Sequence, residues 1–357
     1  MLYWIWLTQI NGLGPIRQRA LLEKFNTPEN IYRASLEDLL ECNGIGHKTA
    51  ERIIEERSLE KAKRILDKTE KLDIRLLNLD NPLYPFEAKS INEMPILIYY
   101  KGNIIKNSMG VAIVGSRRCS EYGKMVTNSA ATYLANEKIC VVSGMAKGID
   151  GYAHTSCIKS GGYTIAVLGN GLDICYPSEH MELMESIIEN GAVISEYPPG
   201  VKPDSKRFPR RNLLISAWSY KILVVEAGVK SGALITANYG KQYEREVLAL
   251  PDSIYRQESM GSNRLIYDGA KIYLYEEQLL IDNRYESKIV ENKDDKQLVN
   301  LDETEKKIIE ILLNEGEKTL EELSILTEMD MMQLVEKLSF MELEDKVIIR
   351  GSVVNVQ

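Results

Sequence analysis

The sequence has no long apolar run, no paired cysteine spacing, no standard nucleotide-binding motif and no excess of positive charge. Without an apolar stretch near the ~18 residues that span a bilayer, a membrane helix is excluded. The apolar start, MLYWIWLTQINGLG, lacks a cationic lead and a small-residue cleavage site, so it does not read as a signal peptide. Cys42, Cys119, Cys140, Cys157 and Cys175 are scattered, odd in number and form no CxxC. That argues against a zinc site or a disulfide framework and fits a reduced cytoplasm. Neither GxGxxG nor the Walker A pattern GxxxxGK[ST] occurs. With 44 Lys+Arg against 52 Asp+Glu, a net of -8, the protein is not coated in positive charge, although a local basic groove stays open.

What is present begins with 357 residues, 44% of them hydrophobic, enough to bury a substantial core in two or three domains. The stretch 110–148 organises the rest. Val111-Ala112-Ile113-Val114 stops at Gly115-Ser116-Arg117, a helix is expected over 121–136, and a second apolar run, 139–142, stops at Ser143-Gly144. Strand, small-residue turn, helix, strand, small-residue turn is the layout of a doubly wound parallel sheet. In such sheets ligands bind beyond the carboxyl ends of the strands. Both turns are rich in Gly and Ser and carry a cation, Arg117 or Lys147, so an anion is the natural guest. Glycines that merely close tight turns would give the same pattern.

Residues 1–70 read as helices joined by two similar turns, Asn11-Gly12-Leu13-Gly14-Pro15 and Asn43-Gly44-Ile45-Gly46-His47, each followed by a helix carrying cations. This resembles the helix-hairpin-helix motif, whose turn amides can hold a DNA phosphate without reading sequence. Packed helical hairpins without a ligand fit the same residues. A proline-containing connector follows, with a strand over 96–100 expected at the edge of the next sheet. Further strands are expected at 111–114, 139–142, 164–168, 192–195, 221–225, 246–250 and 271–274, nearly all continuous apolar runs, as in a sheet covered on both faces. The α/β domain is therefore set at 71–285. Within it, 201–243 holds 8 basic residues against Asp204 and Glu226, a local net of +6 with Phe208 among the cations. That is the footprint of a polyanion site with an aromatic suited to base stacking. Residues 286–300 read as a polar linker. Three helices and a hairpin are expected over 301–357, a winged helix by layout. Its 14 acidic residues against 6 basic ones argue for contact with protein rather than DNA.

Together these residues resemble the DNA-processing protein A family (DprA, also called Smf). The matching stretches are VAIVGSR (111–117), VVSGMAKGIDGYAH (141–154), FPRRN (208–212), VVEAGVKSGALITA (224–237) and GSNRLIYDGA (261–270). The resemblance implies an extended Rossmann-like fold, a homodimer, single-stranded DNA binding and loading of the recombinase RecA in natural transformation, with no catalysed reaction and no cofactor. It assigns DNA binding to Gly115, Ser116, Arg117, Ser143, Gly144, Ala146, Gly148, Asp150, Phe208, Arg210, Arg211, Asn212, Ser231 and Gly232, and the local positive charge adds Lys147 and Lys206. Two departures stand out. Leu213 replaces an arginine of the family pattern, which would shift a phosphate contact onto Arg210, and Pro251-Asp252 stands where proline-glycine is usual. An alternative reading is a Rossmann-type hydrolase that holds a nucleoside monophosphate, with Asp150, His154, Asp173, Glu196 and Glu226 as the available acids and bases.

Overall fold

The computed structural model describes residues 1–106, 108–281, 303–315, 317–327, 329–343, 347–351 and 353–356. They form two compact units, Met1–Ile281 and Asp282–Gln357. The expected linker at 286–300 lies outside the described residues.

The first unit opens with helices α1 (Leu2–Thr8), α2 (Pro15–Phe25), α3 (Pro28–Arg33), α4 (Leu36–Leu40), α5 (His47–Glu55) and α6 (Glu60–Lys71). Their boundaries follow from capping chemistry. Thr27 accepts from the Asn30 amide at 3.2 Å, and Ser35 and Asp38 cap α4 reciprocally. The two GhG turns place Gly12 and Gly44 in the left-handed region, φ 74° and 81°, just before α2 and α5. Trp6, Leu7, Leu21, Ile31, Leu39 and Ile53 are buried, so the aromatic N-terminus builds a core.

The sheet begins with β1 (Arg75–Asn78), a strand the sequence pattern did not announce. A short α7 (Phe86–Lys89), β2 (Leu97–Gly102), β3 (Gly110–Val114), α8 (Glu121–Asn136), β4 (Cys140–Ser143), α9 (Ile149–Lys159) and β5 (Thr164–Leu168) follow. Next come α10 (Met181–Asn190), β6 (Gly191–Ser195), α11 (Phe208–Ala217), β7 (Ser219–Val224), α12 (Gly232–Gln242), β8 (Glu246–Ala249), α13 (Met260–Tyr267) and β9 (Lys271–Ile272). The nine strands lie in the order β1-β2-β6-β5-β4-β3-β7-β8-β9. From β6 to β9 all neighbours are parallel, and β2 and β1 are added antiparallel outside β6. The run β5-β4-β3-β7-β8-β9 is the 3-2-1-4-5-6 order of a Rossmann sheet, so the chain reverses direction across the sheet between β3 and β7. Strands β3 to β7 are buried along their whole length because helices cover both faces.

The second unit holds α14 (Glu303–Glu315), β10 (Lys318–Thr319), α15 (Leu320–Thr327), α16 (Met331–Leu343), β11 (Val347–Arg350) and β12 (Val353–Val356). Its strands pair antiparallel in the order β10-β12-β11 over a core that includes Ile308, Leu312, Leu323, Leu334, Leu338 and Val354. Among the described residues no helix is long and apolar enough to cross a membrane.

His154 on α9 shows how dry the main core is. The Thr164 hydroxyl donates to the Val141 carbonyl at 2.7 Å, so its oxygen must accept from His154 Nδ1 at 2.7 Å. The other ring nitrogen, Nε2, is buried with no partner. Burial pushes the imidazole pKa down to about 3, helped by the nearby His180 and Arg211 charges. An unfolded histidine titrates near ~6.5, so the unfolded chain binds the extra proton between that value and the folded one. Stability from this group is therefore complete above pH ~6.5 and erodes as pH falls, at up to ~1.4 kcal/mol per unit. Urea unfolding at pH 5 should show about 2 kcal/mol less stability from this source than at pH 7.5. The difference should shrink in His154→Asn, which keeps a donor for Thr164 but does not titrate.

Candidate nucleic-acid interface

At the switch point the carboxyl ends of β3, β4 and β7 surround an open groove of about 690 Å³. One wall is the turn after β3. Ser116 Oγ accepts from the Arg118 amide at 3.1 Å and donates to the Arg118 carbonyl at 3.0 Å, which closes the turn and leaves Arg117 and Arg118 exposed over the groove. Gly148, φ 75°, passes so close beneath that a Cβ there would lie 2.3 Å from the Ser116 carbonyl oxygen. The turn is fixed from behind by Glu226, which is fully buried. It accepts from the Ser120 amide at 2.9 Å and from the Ser120 hydroxyl, and pairs with Arg256 at 3.3 Å.

The second wall is the turn after β4, whose amides are already occupied. Asp150, buried at the first turn of α9, accepts from the Gly144 and Ala146 amides at 3.1 and 3.4 Å. Arg211 on α11 reaches the same turn from the other side. Its Nη1 donates to the Gly144 carbonyl and, at 2.9 Å, to the Val167 carbonyl, while Nε donates to Asn212 Oδ1 at 3.0 Å. A Cβ on residue 144 would stand 2.0 Å from Arg211 Nη1, so only glycine fits against this guanidinium. Burial raises the Asp150 pKa and lowers that of Arg211, and each charge offsets part of the other's penalty.

Phe208 forms the bridge between the walls. The guanidiniums of Arg117 and Arg211 lie 5.7 and 5.8 Å from its ring centroid, and Tyr176 stacks on it at 5.7 Å and 23°. Behind it a smaller cavity of about 60 Å³ opens between Gly144, Ala146, Lys147, Gly169, Asn170 and Tyr176. Across the groove, Ser231 caps α12 by accepting from the Ala233 amide at 3.3 Å, and Asn212 Nδ2 donates to the Gly232 carbonyl at 3.0 Å. Exposed Lys230 lines this side, with Gln257 and Glu258 at the far end.

Of the sixteen residues assigned from sequence, Gly115, Ser116, Arg117, Ala146, Asp150, Phe208, Arg211, Asn212, Ser231 and Gly232 line the large groove. Gly144 and Lys147 line the small cavity. The other four line neither cavity. Ser143 is buried and donates to the Ile113 carbonyl at 2.7 Å, and Gly148 lies under the β3 turn. Lys206 is exposed elsewhere. Arg210, expected to take over a phosphate contact, turns away from the groove to pair with Glu196 at 3.0 Å and to donate to the Glu93 carbonyl. Leu213, in the place of the family's arginine, is buried. Lys147 is ion-paired with Glu179. The sequence reading left out two groove cations. Arg118 directly follows Arg117, and Lys230 was counted in the positive stretch without being placed. Tyr176 carries no local sequence signal at all.

A family model described as DNA recombination-mediator protein A matches residues 75–284, and one for a SAM-like helix-hairpin-helix tandem matches 7–58. The chain belongs to the DNA recombination-mediator protein A family. It is 38% identical to protein Smf of Synechocystis over 315 residues, 85% of this chain and 79% of that one. To the DNA processing protein DprA of Streptococcus pneumoniae it is 41% identical over 190 residues, 53% of this chain and 67% of that one. The crystal structure of the pneumococcal protein superposes with a TM-score of 0.69 at 31% identity, covering 79% of this chain and 98% of that one. The Helicobacter pylori protein, described in a single-stranded DNA binding mode, gives 0.52 at 26% identity over 61% of this chain and 96% of that one. For the recombination-mediator family the extended Rossmann sheet and the helical N-terminal layer are thus shown for this chain.

The two arginines at Phe208 have different chemical positions, and stability separates them. Removing Arg211 strips two buried carbonyls of a donor and leaves Asp150 buried without its compensating charge. Arg211→Met should lower unfolding free energy by roughly 3 kcal/mol. Arg117→Ala, a surface change, should stay within about 0.5 kcal/mol by the same urea titration.

Proposed function

We propose that this protein binds single-stranded DNA across the groove between the β3 and β7 strand ends, without reading sequence, and delivers it to RecA in recombination and DNA uptake in the cytoplasm. The observation that supports this most is the combination of three exposed cations, Arg117, Arg118 and Lys230, with the Phe208 ring on one rigid surface. Phosphates need the first and unpaired bases use the second. A duplex keeps its bases stacked inside, out of reach of an aromatic platform.

The hydrolase alternative is disfavoured by where its acids and bases point. Asp150 holds turn amides, and Asp173 pairs with Lys68 at 2.8 Å and accepts from the Gly200 amide at 2.7 Å. Glu196 pairs with Arg210, Glu226 with Ser120 and Arg256, and His154 with Thr164. Each is committed to holding the fold, so binding without catalysis is the better reading. A second copy of the chain is proposed as partner along edge strand β9, where Tyr267, Leu274 and Tyr275 are exposed next to Ile272. Light scattering that found only monomers would remove that partner. We also propose that the acidic 301–357 unit, a winged helix by its element order, contacts protein.

Binding to poly(dT) should exceed binding to a blunt duplex, with a log–log salt slope near -2. That follows from three phosphates at ~0.7 each for single strands. Arg117→Ala should weaken binding roughly 10- to 150-fold, about 1.5–3 kcal/mol. Equal affinity for duplex, or an unchanged Arg117→Ala, would rule the groove out. Deleting 301–357 should leave poly(dT) affinity within about threefold, because an acidic surface repels phosphates over the ~8 Å Debye length. A tenfold loss with the remaining chain still folded would place DNA on that unit.

A further inference from the structure

The far end of the groove leads to a feature that the reading above does not use. Gln257 and Glu258 line the groove, and the loop just before them presents Ile254 and Tyr255. These are 74% and 90% exposed, and Tyr255 is the most exposed large apolar side chain among the described residues. An unused tyrosine at that exposure would ordinarily fold down onto the surface, because burying its ring is favourable.

The loop is held in place by Asp252. Its carboxylate pairs with Arg256 at 3.0 Å, accepts from the Ser253 amide at 2.7 Å and from the Ser259 hydroxyl, and its backbone is clamped on both sides by Asn263. Arg256 in turn reaches Glu226, the residue that fixes the β3 turn beneath Arg117. The turn Ser253–Arg256 is closed by the Arg256 amide donating to the Ser253 carbonyl at 3.1 Å. Asp252 is also the position where this chain departs from the proline-glycine of the family pattern. A glycine there could make none of the side-chain contacts. Asp252 thus mounts two exposed apolar residues on a tied-down turn, connected through one arginine to the groove.

We infer that Tyr255, backed by Ile254, is a second base-stacking platform for single-stranded DNA at the end of the groove opposite Phe208. This rests on the single-stranded DNA reading and extends its footprint. A nucleobase is the ligand chemistry that matches. The platform is an exposed π-face on a preordered loop, so stacking does not have to pay for ordering the loop. Acidic Glu258 beside it disfavours a phosphate at that point, so the strand would meet this end through its bases.

The test uses the full chain with fluorescein-labelled oligo(dT) of about 6 and about 25 nucleotides, read by anisotropy, with oligomeric state followed by light scattering. A short oligomer can be held at Phe208 and Arg117 alone, whereas a long one reaches both ends. Tyr255→Ala should weaken the long oligomer roughly tenfold and the short one less than twofold. Tyr255→Phe should match the unaltered chain, and Asp252→Gly should produce an intermediate loss on the long oligomer only. Unchanged affinity of Tyr255→Ala for the long oligomer, while the unaltered chain binds it, would overturn the inference and leave the groove reading intact. So would a loss that tracks conversion of dimer to monomer, since Tyr255 would then be a contact between copies. Failure of the unaltered chain to bind oligo(dT) at all would overturn both.

Discussion

One buried guanidinium holds the binding surface together. Arg211 ties the carbonyls that end β4 and β5 to helix α11, leans on Asn212 and carries Phe208 on its outer face. The strand-end turns of a Rossmann sheet are otherwise independent loops, each free to adjust to its own contacts. Here two of them, and the aromatic between them, are set by a planar group with donors in fixed directions. The requirement works in both directions: Arg211 needs a residue without a side chain at 144, and the amides of that glycine's turn need Asp150 to fill them. A buried charge pair of this kind is costly unless every donor and acceptor is matched. Matching makes the surface stiff, and a stiff surface can bind a flexible strand without first losing its own freedom.

This clarifies which parts were legible in the sequence. Continuous apolar runs ending in Gly and Ser identified the parallel strands, and α8 fell at 121–136 as expected, with Ser120 as its cap. The antiparallel β1 escaped because Arg75–Asn78 shows a single buried residue, a pattern that does not distinguish an edge strand from a loop. The site divides along a similar line. Residue type reveals that a charge exists but not the direction in which it points. Arg210 and Arg211 are neighbours on one helix, 100° apart around its axis, so if one faces the strand ends the other must face elsewhere. Nothing in FPRRN says which. The partner Glu196 that captures Arg210 is 14 residues away in the chain, and its pairing is a tertiary event.

The same reasoning applies to the excess of positive charge between 201 and 243. Of its eight cations, Arg210 and Arg211 serve the fold, and Lys221 is buried between Glu246 and the Gln278 carbonyl. Lys241 donates to the Asp268 carbonyl, and Arg207 to the Lys202 carbonyl while lying over the Tyr197 ring. From that stretch Lys230 is the exposed cation that lines the groove, along with Arg117 and Arg118 from a different strand end, while buried Arg211 forms part of the wall. Most of the cations counted in that local net charge do other work. The groove's charge is assembled from two distant segments because the switch point brings the ends of β3 and β7 side by side.

Under the proposed function, that assembly also explains how an acidic protein would hold a polyanion. Charges farther apart than a Debye length are screened, so the overall net of -8 matters less at the groove than the few cations within ~8 Å of a phosphate. Apart from Glu258, the carboxylates around the site are paired within the fold. Asp150 faces amides and Arg211, Glu226 faces Ser120 and Arg256, and Glu179 faces Lys147. Each internal pairing removes a repulsion that a phosphate would otherwise meet, and leaves Arg117, Arg118 and Lys230 exposed in the groove against the single exposed carboxylate of Glu258. Under the proposed reading, selectivity for a flexible strand over a duplex follows from geometry: bases must be free to turn towards Phe208 while the backbone follows the cations, and only an unpaired strand can do both at once.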